Sequence, residues 1–207
     1  MAGPITIRSH GVHLYLVDGR EGKLLFDAGW PRSLADLKAG LEAAGLRLSA
    51  IRFVMMSHAH PDHAGLMQKL KRTCGVRRIV HEVQRGSLAE LNRFFERKPD
   101  RNYEPFEIDE NDLVVGRADR QALRSIGIAG EILETPGHSD DSVSLLLDGG
   151  DAFTGDLTRP DLATDANAAA LTASWNALLA GGALMFYPAH GGPIAAGVIE
   201  EMVRRKA

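Results

Sequence analysis

Six consecutive residues, His58-Ala59-His60-Pro61-Asp62-His63, carry three imidazoles and a carboxylate. Imidazole nitrogen and carboxylate oxygen are ligands for zinc, iron and manganese. The run follows the apolar stretch Ile51–Met56 after a single serine, Ser57. A helix would spread four such side chains around its circumference, whereas a loop leaving a strand aims them at one pocket. The split into His58/His60 and Asp62/His63 predicts two metal positions rather than one.

Three later segments repeat one pattern: short apolar run, turn residue, ligand-type residue. Glu134-Thr135-Pro136-Gly137-His138 presents a histidine from a Pro-Gly turn, Phe153-Thr154-Gly155-Asp156 ends in an acid, and Tyr187-Pro188-Ala189-His190-Gly191-Gly192 ends in a histidine. Taken singly, His138 and His190 read as surface or structural histidines, and Asp156 as a turn or capping acid. Taken in order behind the first cluster, they complete a set of metal ligands.

These motifs, with Leu25-Phe26-Asp27-Ala28-Gly29, run from Ile5 to Pro193 and resemble the metallo-β-lactamase fold superfamily of metallohydrolases. The resemblance implies that His58, His60 and His138 hold a first metal, that Asp62, His63 and His190 hold a second, and that Asp156 bridges them. It implies two Zn2+, with Fe or Mn as alternatives, and a bridging hydroxide as nucleophile, with Asp62 or Asp156 handling the proton. It makes Asp27, which ends the strand Lys23–Phe26, a hydrogen-bonding support of the histidine loop; a plain turn aspartate before Gly29 is the other reading. His10, His13 and His81 fit no ligand slot.

With 207 residues and 44% hydrophobic content, the chain fits a single domain over residues 1–207 with a sizeable core. A formal charge of −3 and a pI near 6.2 carry no nucleic-acid footprint. No 18-residue apolar run is present, so no membrane helix is expected. Met1-Ala2-Gly3-Pro4-Ile5 lacks the marks of a leader, and the single cysteine, Cys74, forms no internal disulfide; both predict a cytoplasmic protein. The oligomeric state is left open.

The elements that would position these residues follow from periodicity. Val12–Val17, Lys23–Phe26, Ile51–Met56, Arg77–His81, Glu131–Thr135, Ser142–Leu147, Ala152–Thr154 and Leu184–Tyr187 read as strands. Leu34–Ala44, Ala64–Arg72, Ser87–Arg97, Arg120–Ile126, Asn167–Leu179 and Val198–Arg205 read as helices. Two groups of strands, each accompanied by helices, predict an α/β fold in four layers: an αβ/βα sandwich of two mixed sheets with outer helices. The irregular segment 84–112 is either a lid or substrate wall, or a structural insertion.

Departures from named relatives narrow the chemistry. β-Lactamases of this fold usually lack the bridging Asp and act outside the cytoplasm. Only residues 191–207 follow His190, too few for the helical glutathione-binding domain of glyoxalase II. No RNA-binding arm is visible. Lactonases of the family carry a Tyr where this chain has Arg159. The expected activity is hydrolysis of an ester, thioester, lactone or phosphoester in a small molecule. A mononuclear iron enzyme resembling persulfide dioxygenases, using His58, His60 and Asp156, is the alternative; a β-lactamase and a non-catalytic metal-binding protein rank behind it. Trp30, Tyr187 and Arg159 are candidate substrate contacts. Arg159 would recognise an anionic group, unless it pairs with Asp161 or Asp165. The orientation of Asp140-Asp141 is undecided.

Overall fold

The computed structural model describes residues 3–117 and 119–206. Met1 and Ala2, on which the leader reading partly rests, lie outside the described residues.

Among the described residues, eleven strands form two sheets. The first holds β1 (Ile5–Ser9), β2 (Val12–Gly19), β3 (Gly22–Phe26), β4 (Ile51–Met55), β5 (Arg77–His81) and β6 (Leu113–Val115), paired in chain order. Its first three strands are antiparallel and its last three join in parallel. The second sheet runs in the order β11 (Ile194–Ala195), β10 (Met185–Pro188), β9 (Asp151–Gly155), β8 (Val143–Leu147) and β7 (Gly130–Glu134). All its pairs are antiparallel except β9 with β10.

Strand alternation builds the layers, because successive side chains point to opposite faces. Tyr15, Val17, Leu24, Phe26, Phe53 and Met55 meet Ile132, Val143, Leu145, Phe153 and Tyr187 between the sheets. The alternate residues Leu14, Leu16, Leu25 and Val54 pack outward. They meet α1 (Leu34–Ala43), α3 (Met67–Cys74) and α4 (Leu88–Arg97). On the far side Leu146, Ala152 and Phe186 pack against α6 (Ala168–Ala180) and α7 (Ala196–Lys206) through Leu171, Trp175, Leu178 and Ile199. The short helix α5 (Arg120–Ser125) adds Leu123 to the core between the sheets. The architecture is thus two mixed sheets between outer helices.

Three strands were not read from the sequence. β1 is a five-residue edge strand, β6 has three residues and β11 two, too short for a periodic signal. The helix expected to begin at Ala64 begins earlier and is broken. A single turn, α2 (Pro61–Ala64), contains Asp62 and His63, and α3 starts only at Met67. Pro61 at the first helical position explains the early start, since its fixed φ suits that place and its missing N–H is not needed there.

Segment 84–112 is packed down. Leu88, Leu91, Phe95 and Phe106 are buried in the outer core. Tyr103 stacks on Phe95 at 3.8 Å, and its hydroxyl donates to Asn92 Oδ1 at 2.6 Å. The segment ends on the buried pair of Arg78 with Asp112 (2.6 Å), with Phe106 beneath the guanidinium at 4.1 Å. No helix among the described residues is long and apolar enough to cross a membrane.

Candidate metal centre

β3 and β4 run in parallel and deliver Asp27 and Ser57 to the same edge. Asp27 is fully buried and adopts φ +60°, a left-handed conformation that costs a non-glycine residue roughly 1–2 kcal/mol. Its carboxylate repays that. Oδ1 accepts from Ser57 N at 2.6 Å, and Oδ2 accepts from Ser57 Oγ at 3.0 Å and from His63 Nδ1 at 2.8 Å. Hydrogen bonds to a charged group contribute about 1.5–3 kcal/mol each, more than the backbone strain. Asp27 thus hydrogen-bonds both Ser57 and His63 of the histidine loop.

These bonds fix the histidine tautomers. A carboxylate only accepts, so His63 Nδ1 donates, and Nε2 is the nitrogen left for a metal, which would displace its proton. Ser57 Oγ gives its proton to Asp27 and so accepts from His58 Nδ1 at 3.0 Å, leaving His58 Nε2 with a lone pair. His190 Nδ1 lies 2.8 Å from the Gly11 carbonyl and donates to it, with the same result. Three Nε2 atoms are thereby left for metal by the backbone, hydroxyl and carboxylate partners of the Nδ1 atoms, as metal-binding imidazoles require.

Gly155 brings the second half of the site to the first. It has φ +55°, and a Cβ there would lie 2.3 Å from Ser57 Cβ and Oγ. Only glycine allows β9 to pass that close and present Asp156. Asp156 Oδ2 then lies 3.4 Å from His63 Nε2 and 3.6 Å from His138 Nε2, and Oδ1 lies 3.4 Å from His190 Nε2. Asp62 Oδ2 faces His63 and His190 at 3.6 and 3.7 Å. His138 Nε2 and His60 Nδ1 face each other at 3.2 Å.

Three groups of possible ligand atoms result: His58, His60 and His138; Asp62, His63 and His190; and His58, His63 and Asp156, with the atoms of each group within 4.8 Å of one another. The first two reproduce the division implied by the resemblance, and Asp156 stands between them. The fit to metal ions shows in the orphaned atoms. His58 Nε2, His63 Nε2 and Asp156 Oδ1 are buried without any hydrogen-bond partner, an arrangement that is costly unless a cation satisfies it.

The electrostatics agree. Burial, and then His63, His60 and His138, hold His58 well below the usual imidazole value, so it is neutral and ready to ligate. Burial pushes His63 down, but the Asp27 and Asp156 carboxylates more than reverse this and raise it to about 10 in the metal-free protein. Burial pushes Asp156 up, and the surrounding imidazoles more than reverse it, leaving the carboxyl below the usual range.

Several contributors were not read from the sequence. Gln84 is buried and donates to the Met56 and Ser57 carbonyls at 3.1 and 3.2 Å. Asp141 accepts from Ala59 N at 2.8 Å, which resolves the Asp140-Asp141 pair: Asp141 braces the loop and Asp140 is exposed. His10 lies near Asp36, 3.6 Å away, and His13 and His81 also lie outside the ligand groups.

Beside the cluster lies a pocket of about 260 Å³, bordered by His138, Asp156 and His190. Its apolar wall is Leu157, Leu162, Trp175, Phe186, Pro188 and Ile194. Of the candidate substrate contacts, Arg159 lines it, but its guanidinium is held by Asp161 at 3.0 and 2.5 Å. Tyr187 requires correction: it lies in the core between the sheets, stacked on Phe153 at 5.3 Å, and strand alternation gives the pocket to Phe186 instead. Trp30 is half-buried under Arg32, 5.9 Å from its ring, and is not part of the pocket lining. Trp175 was missed. Its Nε1 donates to the Thr158 carbonyl at 2.9 Å and so holds the loop after Asp156.

Comparison with known proteins agrees with this geometry. The sequence pattern of the Metallo-beta-lactamase superfamily matches residues 8–190, and the chain belongs to that superfamily. Among solved structures it is similar to the metallo-beta-lactamase family protein TTHA1429 from Thermus thermophilus, with a TM-score of 0.70 and 23% identity over 98% of this chain and 78% of the other. It is also similar to TTHA1623 in a di-iron-bound form, with a TM-score of 0.72 and 22% identity over 97% and 98% of the two chains. A third is BJP-1, a subclass B3 metallo-beta-lactamase of Bradyrhizobium japonicum, with a TM-score of 0.69 and 17% identity over 97% and 86%. At these identities the likeness is one of fold.

Proposed function

We propose that this chain is a metal-dependent hydrolase of a small molecule, acting on an ester, thioester, lactone or phosphoester. The observation that carries the reading is the pair of three-residue ligand groups with Asp156 between them. His58, His60 and His138 would hold one metal and Asp62, His63 and His190 the other, with Asp156 serving both. Zinc suits this nitrogen- and oxygen-rich set. Iron is the alternative, in keeping with the di-iron form of TTHA1623.

Bound metals at such a site supply Lewis acidity and lower the pKa of a water to about 7. The chain's own residues do the rest. Asp27 and Ser57 orient His63 and His58, so that the Nε2 atoms need no reorientation when ligands engage. Asp62 faces the imidazoles with Oδ2, and Asp62 or Asp156 would take the proton of the attacking water. The apolar wall beside Asp156 excludes bulk water from one side of the reacting bond.

The test is a hydrolysis screen over lactones, thioesters and phosphodiesters with metal-replete protein. Turnover that a chelator abolishes and added metal restores is the expected result. A fully metal-loaded protein without turnover on any class would overturn the reading, and oxygen uptake with a glutathione persulfide would replace it with the iron alternative.

A further inference from the structure

The pocket beside Asp156 is apolar on nearly every side. Phe186 and Trp175, in edge contact at 5.0 Å, are buried, and Leu157, Pro188, Ile194 and the exposed Leu162 complete the wall. Arg159 is the one Lys or Arg in the lining among the described residues, and both acceptor oxygens of Asp161 already engage it. Among the described residues the lining therefore offers an anion no unpaired Lys or Arg, and a substrate carboxylate would have to displace Asp161 to pair with Arg159.

We propose that this pocket is a subsite for an apolar acyl chain, whose carbonyl end lies towards Asp156 and whose chain runs along Phe186, Trp175 and Ile194. The volume of about 260 Å³ holds on the order of eight non-hydrogen atoms. The assignment rests on the hydrolase reading for the chemistry at the carbonyl, but not for the binding of the chain.

The test uses metal-replete protein carrying Trp30→Phe, in which Trp175 is the single remaining tryptophan. Its fluorescence is followed as the neutral probes butanamide, hexanamide and octanamide are added, with hexanoate as the anionic probe. Affinity should rise about fourfold per added methylene until the pocket is full. Any advantage of hexanoate over hexanamide should persist in Arg159→Ala, since it would come from the metal ions and not from Arg159. Ile194→Phe should weaken octanamide about tenfold and leave butanamide within twofold. If that variant does not fold, Leu162→Asp, at a rim position that is 63% exposed, should weaken octanamide by a similar factor. Affinity independent of chain length, or hexanoate binding more tightly than hexanamide and losing that advantage in Arg159→Ala, would overturn the proposal. Because the readout is binding of unreacted amides, a length-dependent result without any hydrolysis would sink the hydrolase reading and spare the subsite. Hydrolysis without length dependence would do the reverse.

Discussion

Asp27 and His63 are joined by a 2.8 Å hydrogen bond between two fully buried side chains 36 residues apart in sequence. The bond closes a short chain of contacts: the Asp27 carboxylate also takes the Ser57 N–H and hydroxyl, and Ser57 in turn orients His58. One residue in a strained backbone conformation thus aims a ligand from each of the two groups.

Asp27→Asn preserves size but removes the charge and one acceptor. Metal affinity, measured by competition with a chromogenic chelator, should fall about 10- to 100-fold while the far-ultraviolet circular dichroism is retained. Unchanged affinity would show that the ligand loop holds its own shape without Asp27.

Gly155→Ala should act on the same loop from the other side. A methyl group cannot sit 2.3 Å from Ser57 Cβ, and φ +55° adds backbone strain. The expected outcome is a loss of about 1–3 kcal/mol in urea denaturation, together with weakened metal binding. A variant as stable as the parent would mean that the two sheet edges can separate at no cost.

The candidate ligand residues were legible because each follows an apolar run, and strand ends on one sheet edge fall together. Asp27 was legible for the same reason. The residues that hold them were not. Asp141 reaches Ala59 across 82 residues, and Gly11 reaches His190 across 179, and such pairings leave no local pattern. Tyr187 and Phe186 differ by a single residue of register, and one step exchanges the core for the pocket. Trp175 reads as one more apolar residue of an alanine-rich helix until the fold sets α6 against the loop after Asp156.

Acid stability should depend on Asp112. Burial pushes its carboxyl up, but the Arg78 and Lys71 hydrogen bonds more than offset this and hold it below the usual range. A depressed folded pKa stabilises the fold at every pH above the unfolded value of about 3.9, and that contribution is lost as pH falls through the folded value. Asp112→Asn should cost about 3–5 kcal/mol at pH 7, since it strands the buried Arg78, and should flatten the stability profile below about pH 4. Denaturant midpoints at pH 7, 4 and 3 check this; parallel profiles for the two proteins would contradict it.

Gln84 ties segment 84–112 to the ligand loop through the Met56 and Ser57 carbonyls. Gln84→Leu removes the side-chain donor to the Met56 carbonyl, while the Ser57 carbonyl keeps the Val143 N–H at 2.8 Å, and should lower stability by about 1–3 kcal/mol. Thermal denaturation of the metal-free protein measures it without interference from ligand binding, and an unshifted transition would mean that water replaces the amide.

The most direct test of the two-metal account is the number of transition-metal ions per chain, counted by elemental analysis on dialysed, metal-replete protein beside His190→Ala. The two ligand groups predict close to two ions for the parent chain and close to one for the variant, because His190 belongs to one group alone. A single ion in the parent chain, or an unchanged count in His190→Ala, would contradict it.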